Sequence, residues 1–133
     1  MTLFLPDTNA FSRYMRGRDA ELAARFEPVF PQVRLSAIVL AELEYGAAKS
    51  GLPRHRAQLT ALISSLPYEP FTDADAATFG HLRTHLSRRG ELIGPYDLLI
   101  AAQALRLGAT VVTHNLREFS RVPGLKLADW QSP

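Results

Sequence analysis

Three acidic residues, Asp7, Glu42 and Asp97, have mainly apolar neighbours in the elements that the sequence predicts. Asp7 ends an apolar run at residues 3–6, which we interpret as a buried strand presenting the acid at its carboxyl end. Glu42 and Asp97 fall on apolar faces of two predicted helices when each residue advances about 100° around the axis. An uncompensated buried charge costs several kcal/mol, so each acid needs a partner.

A hard divalent cation is the partner that all three carboxylates can share. Magnesium and manganese prefer carboxylate oxygens and keep several waters. Such a metal polarises a phosphoryl oxygen, lowers the pKa of a bound water and stabilises the leaving oxygen, without any side-chain nucleophile. A predicted strand at residues 109–113 brings three further candidates to this site: Thr113, Asn115 and Glu118. Thr113 ends the strand, Asn115 follows it, and Glu118 lies one helical turn further on as a fourth acid. Magnesium or manganese is the expected metal.

Each acid also has a purely structural interpretation. Asp7 or Asn9 could cap a helix over residues 11–15, and Asp97 could be a first-turn acid favoured by the helix dipole. Glu42 could pair with a basic residue or lie at the edge of its face. Glu118 could be a solvated acid near an arginine. The functional interpretation therefore depends on the acids meeting in space.

Composition predicts a single globular domain spanning residues 1–133, with 47% hydrophobic and 21% charged residues. The absence of cysteine excludes disulfide scaffolds and thiolate metal sites, and it fits a cytoplasmic protein. No apolar run approaches the roughly 20 residues of a membrane span, so we expect no membrane association. Thirteen of the 15 basic residues are arginine, which suits bidentate phosphate contacts, and the net charge of +2 permits a nucleic-acid partner.

Predicted strands alternate with predicted helices along the chain. The strands are placed at residues 3–6, 33–35, 68–71, 109–113 and 125–127, and the helices at residues 10–15, 19–30, 37–49, 53–66, 73–89, 95–107 and 116–119. This alternation predicts an α/β fold, a three-layer α/β/α sandwich with a mostly parallel central sheet. Helical periodicity further assigns Ile63 and Ala76 to buried faces, and it turns Gln103 and Arg106 away from the core.

Four motifs occur in the order and spacing typical of PIN-domain ribonucleases. They are residues 5–9 (Leu-Pro-Asp-Thr-Asn), 41–47 (Ala-Glu-Leu-Glu-Tyr-Gly-Ala), 94–101 (Gly-Pro-Tyr-Asp-Leu-Leu-Ile-Ala) and 112–119 (Val-Thr-His-Asn-Leu-Arg-Glu-Phe). With them, the chain closely resembles the VapC toxins of bacterial toxin–antitoxin pairs, and the likeness extends over residues 2–130.

The resemblance implies a magnesium-dependent endoribonuclease that forms a homodimer and is neutralised by a cognate VapB-type antitoxin. It also implies that Asp7, Glu42 and Asp97 form the metal pocket. Many relatives have an aspartate where this chain has Asn115, so either Glu118 takes the fourth position or the site works with three acids and an amide. The relatives it resembles cut structured RNA such as transfer RNA, which makes RNA the expected substrate.

Two other function classes stay open at this point. One is a metal-dependent enzyme of similar architecture that acts on DNA or on small phosphate esters. A haloacid-dehalogenase phosphatase would need a second acid two residues after Asp7, where Asn9 stands. The other is a PIN-like module that binds RNA or protein without cleavage, and the presence of all three acids argues against it.

Overall fold

The computed structural model describes residues 1–133 and contains five short strands and seven α-helices. The strands are β1 (Phe4–Pro6), β2 (Leu35–Ser36), β3 (Tyr68–Glu69), β4 (Thr110–Val112) and β5 (Lys126–Ala128). The helices are α1 (Thr8–Arg16), α2 (Ala20–Phe26), α3 (Ala37–Ser50), α4 (Pro53–Ser65), α5 (Asp73–Arg88), α6 (Pro95–Leu107) and α7 (Leu116–Phe119), and a 3-10 helix covers Glu27–Gln32.

Every strand pairing in the chain is parallel. β4 lies between β1 and β5, and β2 pairs with β3. An isolated parallel bridge between Phe4 and Val33 joins the two groups, so β1 lies in the middle of the assembled strands. The predicted mostly parallel sheet is confirmed, and because parallel strands point the same way, their carboxyl ends share one edge.

Local signals explain where several helices begin and end. α6 begins at Pro95, whose missing N–H costs nothing in a first turn, and it ends before Gly108, which adopts φ 62°. The helix predicted over residues 19–30 was too long: α2 ends at Phe26 and the 3-10 helix follows. Pro28 is the reason, because it has no N–H to donate back into an α-helix.

The helices pack around the sheet and on one another, which confirms the three-layer α/β/α arrangement. α3 contacts α1, α4 and α6, while α5 lies along α6. An aromatic part of the core joins α1, α2 and the end of the chain, where the Phe26 ring stacks on Tyr14 and meets the edge of Trp130. One hydrophobic core of 25 buried residues extends from Leu5 to Trp130. No helix is long and apolar enough to cross a bilayer.

Three face assignments from the helical periodicity were wrong. Gln103 is fully buried rather than outward, because Ser36 Oγ donates to its Oε1 (2.6 Å) and its Nε2 donates to the carbonyl of Glu69 (2.9 Å). Ile63, placed inward, is 38% exposed. Ala76 is exposed as well, because α5 turns its neighbouring residue Asp75 inward instead.

Asp75, the buried acid of α5, is held by a capping box and by an ion pair. Asp75 accepts from the backbone N–H of Thr72 (2.9 Å), while the Thr72 hydroxyl accepts from the Asp75 N–H (3.2 Å), which closes a capping box. Arg106 of α6 donates to both Asp75 carboxylate oxygens, from Nε at 2.6 Å and from Nη2 at 3.1 Å. Arg106 therefore leaves the core as predicted, but its guanidinium ties α6 to α5.

Candidate active site

Asp7 stands where the ends of β1 and β4 meet, and it is only 6% exposed. One carboxylate oxygen accepts from the backbone N–H of Ala10 (2.9 Å), so Asp7 is the N-cap of α1, as its structural interpretation proposed. The other oxygen accepts from the Thr113 hydroxyl (2.7 Å), across the sheet edge. The helix cap therefore accounts for one oxygen of Asp7 and not for the other.

The pKa of Asp7 is raised, first because the carboxyl is buried and then because Glu42 and Asp129 are nearby. The hydrogen bonds from Thr113 and Ala10 oppose this rise without cancelling it. Burial is thus the main reason why the Asp7 carboxylate is costly to ionise, and the nearby negative charges of Glu42 and Asp129 add to that cost.

Glu42 enters the site from the second turn of α3. It is half-buried, and its Oε1 accepts from the Thr8 hydroxyl at 2.6 Å, which draws it toward the start of α1. The face it shares is less buried than the sequence suggested, because Tyr45 is 68% exposed; Glu42 lies at the edge of that face. Glu44 points elsewhere and pairs with Arg56 at 2.8 Å.

Asp97 is the third residue of α6 and is half-buried. Its pKa is raised to about 6, mainly by burial and then by the negative charges of Asp7, Glu42 and Glu118. The Asn115 side-chain amide acts in the opposite direction. The helix dipole also favours an ionised acid at this position, yet burial and the three nearby carboxylates leave the pKa of Asp97 raised.

The loop after β4 brings in the last two candidates. The backbone N–H of Asn115 donates to the Thr113 hydroxyl (2.9 Å), and the Asn115 side-chain amide donates to Glu118 Oε2 (2.8 Å). Thr113 thus connects Asp7 to Asn115, and Asn115 in turn orients the acid of α7. Glu118 forms no ion pair with either nearby arginine.

These four acids constitute what we call the acidic cluster: Asp7, Glu42, Asp97 and Glu118. The chain forms six ion pairs, and none of them includes a member of the acidic cluster. As the side chains stand, no group of three or more His, Cys, Asp or Glu residues is arranged to hold a metal ion. The side chains nevertheless fit a hard divalent cation in their chemistry, since every acidic side chain offers oxygen atoms and no cationic side chain neutralises the charge.

Two contributors to the site were not identified from the sequence. Thr8 follows Asp7 directly, and its hydroxyl holds Glu42. Asp129 follows β5, lies 2.9 Å from His114 Nδ1, and helps to raise the pKa of Asp7. The position of Asp129 just beyond a strand is the signal that could have revealed it, because it is the same signal that identified Asp7.

Known proteins resemble this chain over nearly its whole length. Residues 4–125 match the PIN domain family. The tRNA(fMet)-specific endonuclease VapC of Salmonella typhimurium is 38% identical, and the match covers 98% of this chain and 99% of that protein. Ribonuclease VapC2 of Haemophilus influenzae is 37% identical over the same shares of both chains.

Solved structures agree in fold. A chain in the crystal structure of VapBC2 from Rickettsia felis, bound to a DNA fragment from the promoter, is 33% identical with a TM-score of 0.91, covering 98% of this chain and 100% of that one. A chain of DNA-bound VapBC from Salmonella typhimurium is 38% identical with the same TM-score, covering 98% and 99%. By fold, by family match and by identity along its length, this chain belongs to the VapC ribonucleases of the PIN-domain family.

Proposed function

We propose that this chain is the toxin of a type II toxin–antitoxin pair and acts as a magnesium-dependent endoribonuclease on structured RNA. The observation that carries the proposal is the acidic cluster, whose four carboxylates share one edge of the sheet without a cationic partner. Burial, and then the negative charges of the other three members, raise the pKa of Asp97 to about 6. A divalent cation would remove the repulsion between these charges, whereas a purely structural role would leave it uncompensated.

Asp7, Glu42 and Asp97 would hold the metal, with Glu118 or Asn115 in the fourth position. When bound, magnesium or manganese supplies Lewis-acid polarisation of the scissile phosphate and activation of the attacking water. The chain's own hydrogen bonds orient the ligands: Thr113 and the Ala10 N–H fix Asp7, and Asn115 fixes Glu118. These donors would orient the carboxylates without binding the metal themselves.

Transfer RNA is the substrate that we propose, because a relative 38% identical along the chain is a tRNA(fMet)-specific endonuclease. The partner that we propose is a VapB-type antitoxin, because the structural neighbours are VapBC complexes. An acidic cluster with no internal cation offers such a partner a place for an arginine, which binds carboxylates bidentately. We also propose a homodimer, which light scattering of the purified chain would reveal by its mass.

The test compares two glutamates of α3 that lie two residues apart. Glu42→Gln removes a member of the acidic cluster, while Glu44→Gln removes an acid that pairs only with Arg56 on the surface. Each variant and the wild type are incubated with a labelled tRNA(fMet) transcript in magnesium, in manganese and in excess chelator. A DNA hairpin and p-nitrophenyl phosphate serve as substrates for the two rival enzyme classes.

We expect wild type and Glu44→Gln to cut the RNA at a defined position only when magnesium or manganese is present. Glu42→Gln should lose cleavage by about two orders of magnitude or more, as removal of a key electrostatic group usually does. RNA cleavage that persists in chelator, or that survives Glu42→Gln, would contradict the metal mechanism. If the wild type cleaved the DNA hairpin or hydrolysed p-nitrophenyl phosphate but left the RNA intact, RNA would not be its substrate and the corresponding rival enzyme class would be favoured.

A further inference from the structure

A cleft without apolar side chains opens at the corner between α1 and α4. Its volume is about 390 Å³, and we call it the arginine cleft. It is lined by Arg16, Arg18, Arg54, His55 and Gln58. Its three arginines come from separate places: Arg16 ends α1, Arg18 follows the left-handed turn at Gly17, and Arg54 lies in the first turn of α4.

The arginine cleft adjoins a second cleft that reaches Glu42 of the acidic cluster. This second cleft, of about 290 Å³ between α1, α3 and α4, shares three residues with the arginine cleft, Arg16, His55 and Gln58. The second cleft is also lined by Thr8 and Glu42, and the Thr8 hydroxyl donates a hydrogen bond to Glu42 Oε1 at 2.6 Å. Through their shared lining residues, the two clefts therefore connect Glu42 to the three arginines.

The three arginines have no internal partner. None of them forms an ion pair, and the nearest acids along the chain are already engaged. Asp19 accepts from Arg13 (2.7 Å) and from the N–H of Leu22 (3.1 Å). Glu44 is engaged by another arginine of α4, at 2.8 Å. The positive charge of the arginine cleft is thus available to an external anion.

An RNA strand needs such a place on this protein. The acidic cluster repels a polyanion, and a single divalent cation offsets only part of four negative charges. Most of the affinity for nucleic acid comes from neutralising backbone phosphates, and binding energy from groups away from the reacting bond holds a substrate in place. Guanidinium groups suit this role because their planar fork donates two parallel hydrogen bonds to a phosphate.

We propose that the arginine cleft binds the backbone phosphates of the RNA strand next to the scissile one, with Arg16, Arg18 and Arg54 as the contacts. The strand would run from the acidic cluster along the second cleft, past His55, whose ring is held by the Ser50 hydroxyl 2.8 Å from Nδ1. This inference rests on the proposed ribonuclease function and names the surface that recognises its substrate.

The test uses two matched double variants, each of which removes two positive charges. Arg18→Gln with Arg54→Gln changes residues that line the arginine cleft but not the second cleft beside Glu42. The control, Arg83→Gln with Arg88→Gln, changes two arginines without ion pairs in a separate polar cleft of about 440 Å³ on α5. Binding of a fluorescein-labelled tRNA(fMet) transcript is measured by anisotropy in chelator, between about 50 and 300 mM salt.

We expect the arginine-cleft variant to bind at least about tenfold more weakly at low salt, with a slope of log affinity against log salt shallower by about 1.5. The control variant should match the wild type in affinity at low salt and in the salt slope. In cleavage assays with magnesium, the arginine-cleft variant should need more RNA for half-maximal rate, while its rate at saturating RNA changes by no more than about threefold.

If both double variants lost RNA affinity equally, the attraction would be non-specific and the proposal would be overturned. Wild-type RNA affinity in the arginine-cleft variant would overturn it as well. Retained RNA binding together with loss of a co-purified antitoxin would assign the cleft to an acidic protein segment instead. The two proposals fail separately. If the wild type binds RNA through these arginines but never cuts it, the ribonuclease function fails while the cleft assignment stands.

Discussion

Replacing Asp97 by asparagine should stabilise the metal-free protein at neutral pH. The substitution keeps the shape of the side chain and removes a charge that is disfavoured first by burial and then by repulsion from Asp7, Glu42 and Glu118. The pKa of Asp97 is raised from its usual 3.8 to about 6, and each pKa unit corresponds to about 1.4 kcal/mol. The full shift would be worth about 3 kcal/mol, and because the side chain is only half-buried, solvent screening reduces this to about 1–2 kcal/mol.

The direction of the pH dependence follows from the raised pKa. A carboxyl with a higher pKa in the folded state binds its proton more tightly there, so the wild type loses stability as pH rises from about 4 to about 6. The amide that replaces this carboxyl in the variant does not titrate. Wild type and Asp97→Asn should therefore be similar near pH 4, and the variant should be more stable by about 1–2 kcal/mol above about pH 7.

Urea denaturation in excess chelator, at about pH 4 and about pH 8, measures this difference directly. Asp73→Asn is the control, because Asp73 is an exposed first-turn acid of α5 outside the acidic cluster. If helix-dipole stabilisation were all that Asp97 provided, both variants would lose about 0.3–1 kcal/mol at pH 8. A loss of this size in Asp97→Asn at pH 8 would show that the charge of Asp97 stabilises the folded protein, which is the opposite of what we expect.

Three further tests address the supporting structure. Glu118→Gln should weaken magnesium affinity and cleavage more than Asn115→Ala does, and Asn115→Asp should be tolerated. Magnesium titrations of cleavage activity measure these differences, and an unchanged titration for Glu118→Gln would show that Glu118 has no role in metal binding. Arg106→Gln should cost about 2–4 kcal/mol at neutral pH by leaving the buried charge of Asp75 unpaired, and the loss in urea melts should shrink as acid protonates that carboxyl. Gln103→Leu should cost about 1–3 kcal/mol because buried donors and acceptors lose their partner, while cleavage below the melting temperature stays normal.

Elements with strong local signals were predicted well, and those without were not. α6 runs from Pro95 to Leu107 as predicted, because proline and glycine mark its ends. In the segment after Asp19, apolar spacing continues from Phe26 to Phe30 although the α-helix has already given way to a 3-10 helix. Hydrophobic spacing alone cannot distinguish the two, since both bury one side of a helical turn.

Buried polar residues were mispredicted for a related reason. A glutamine in a helix is expected to face water, and Gln103 is buried only because its partners Ser36 and Glu69 lie 67 and 34 residues away in the chain. The candidate site shows the same limit. The sequence identifies Asp7 by its position after a strand, but the hydrogen bond from Thr113 spans 106 residues and exists only in the folded chain.

If the acidic cluster forms one site for a divalent cation, the purified protein should bind manganese there. Free manganese can be followed by electron paramagnetic resonance near neutral pH, with magnesium as competitor, for the wild type, Asp97→Asn and Glu44→Gln. We expect manganese to bind saturably to the wild type and to Glu44→Gln and to be displaced by magnesium, and we expect Asp97→Asn to lose this binding. Equal manganese binding by wild type and Asp97→Asn, or no saturable binding by the wild type, would contradict this expectation.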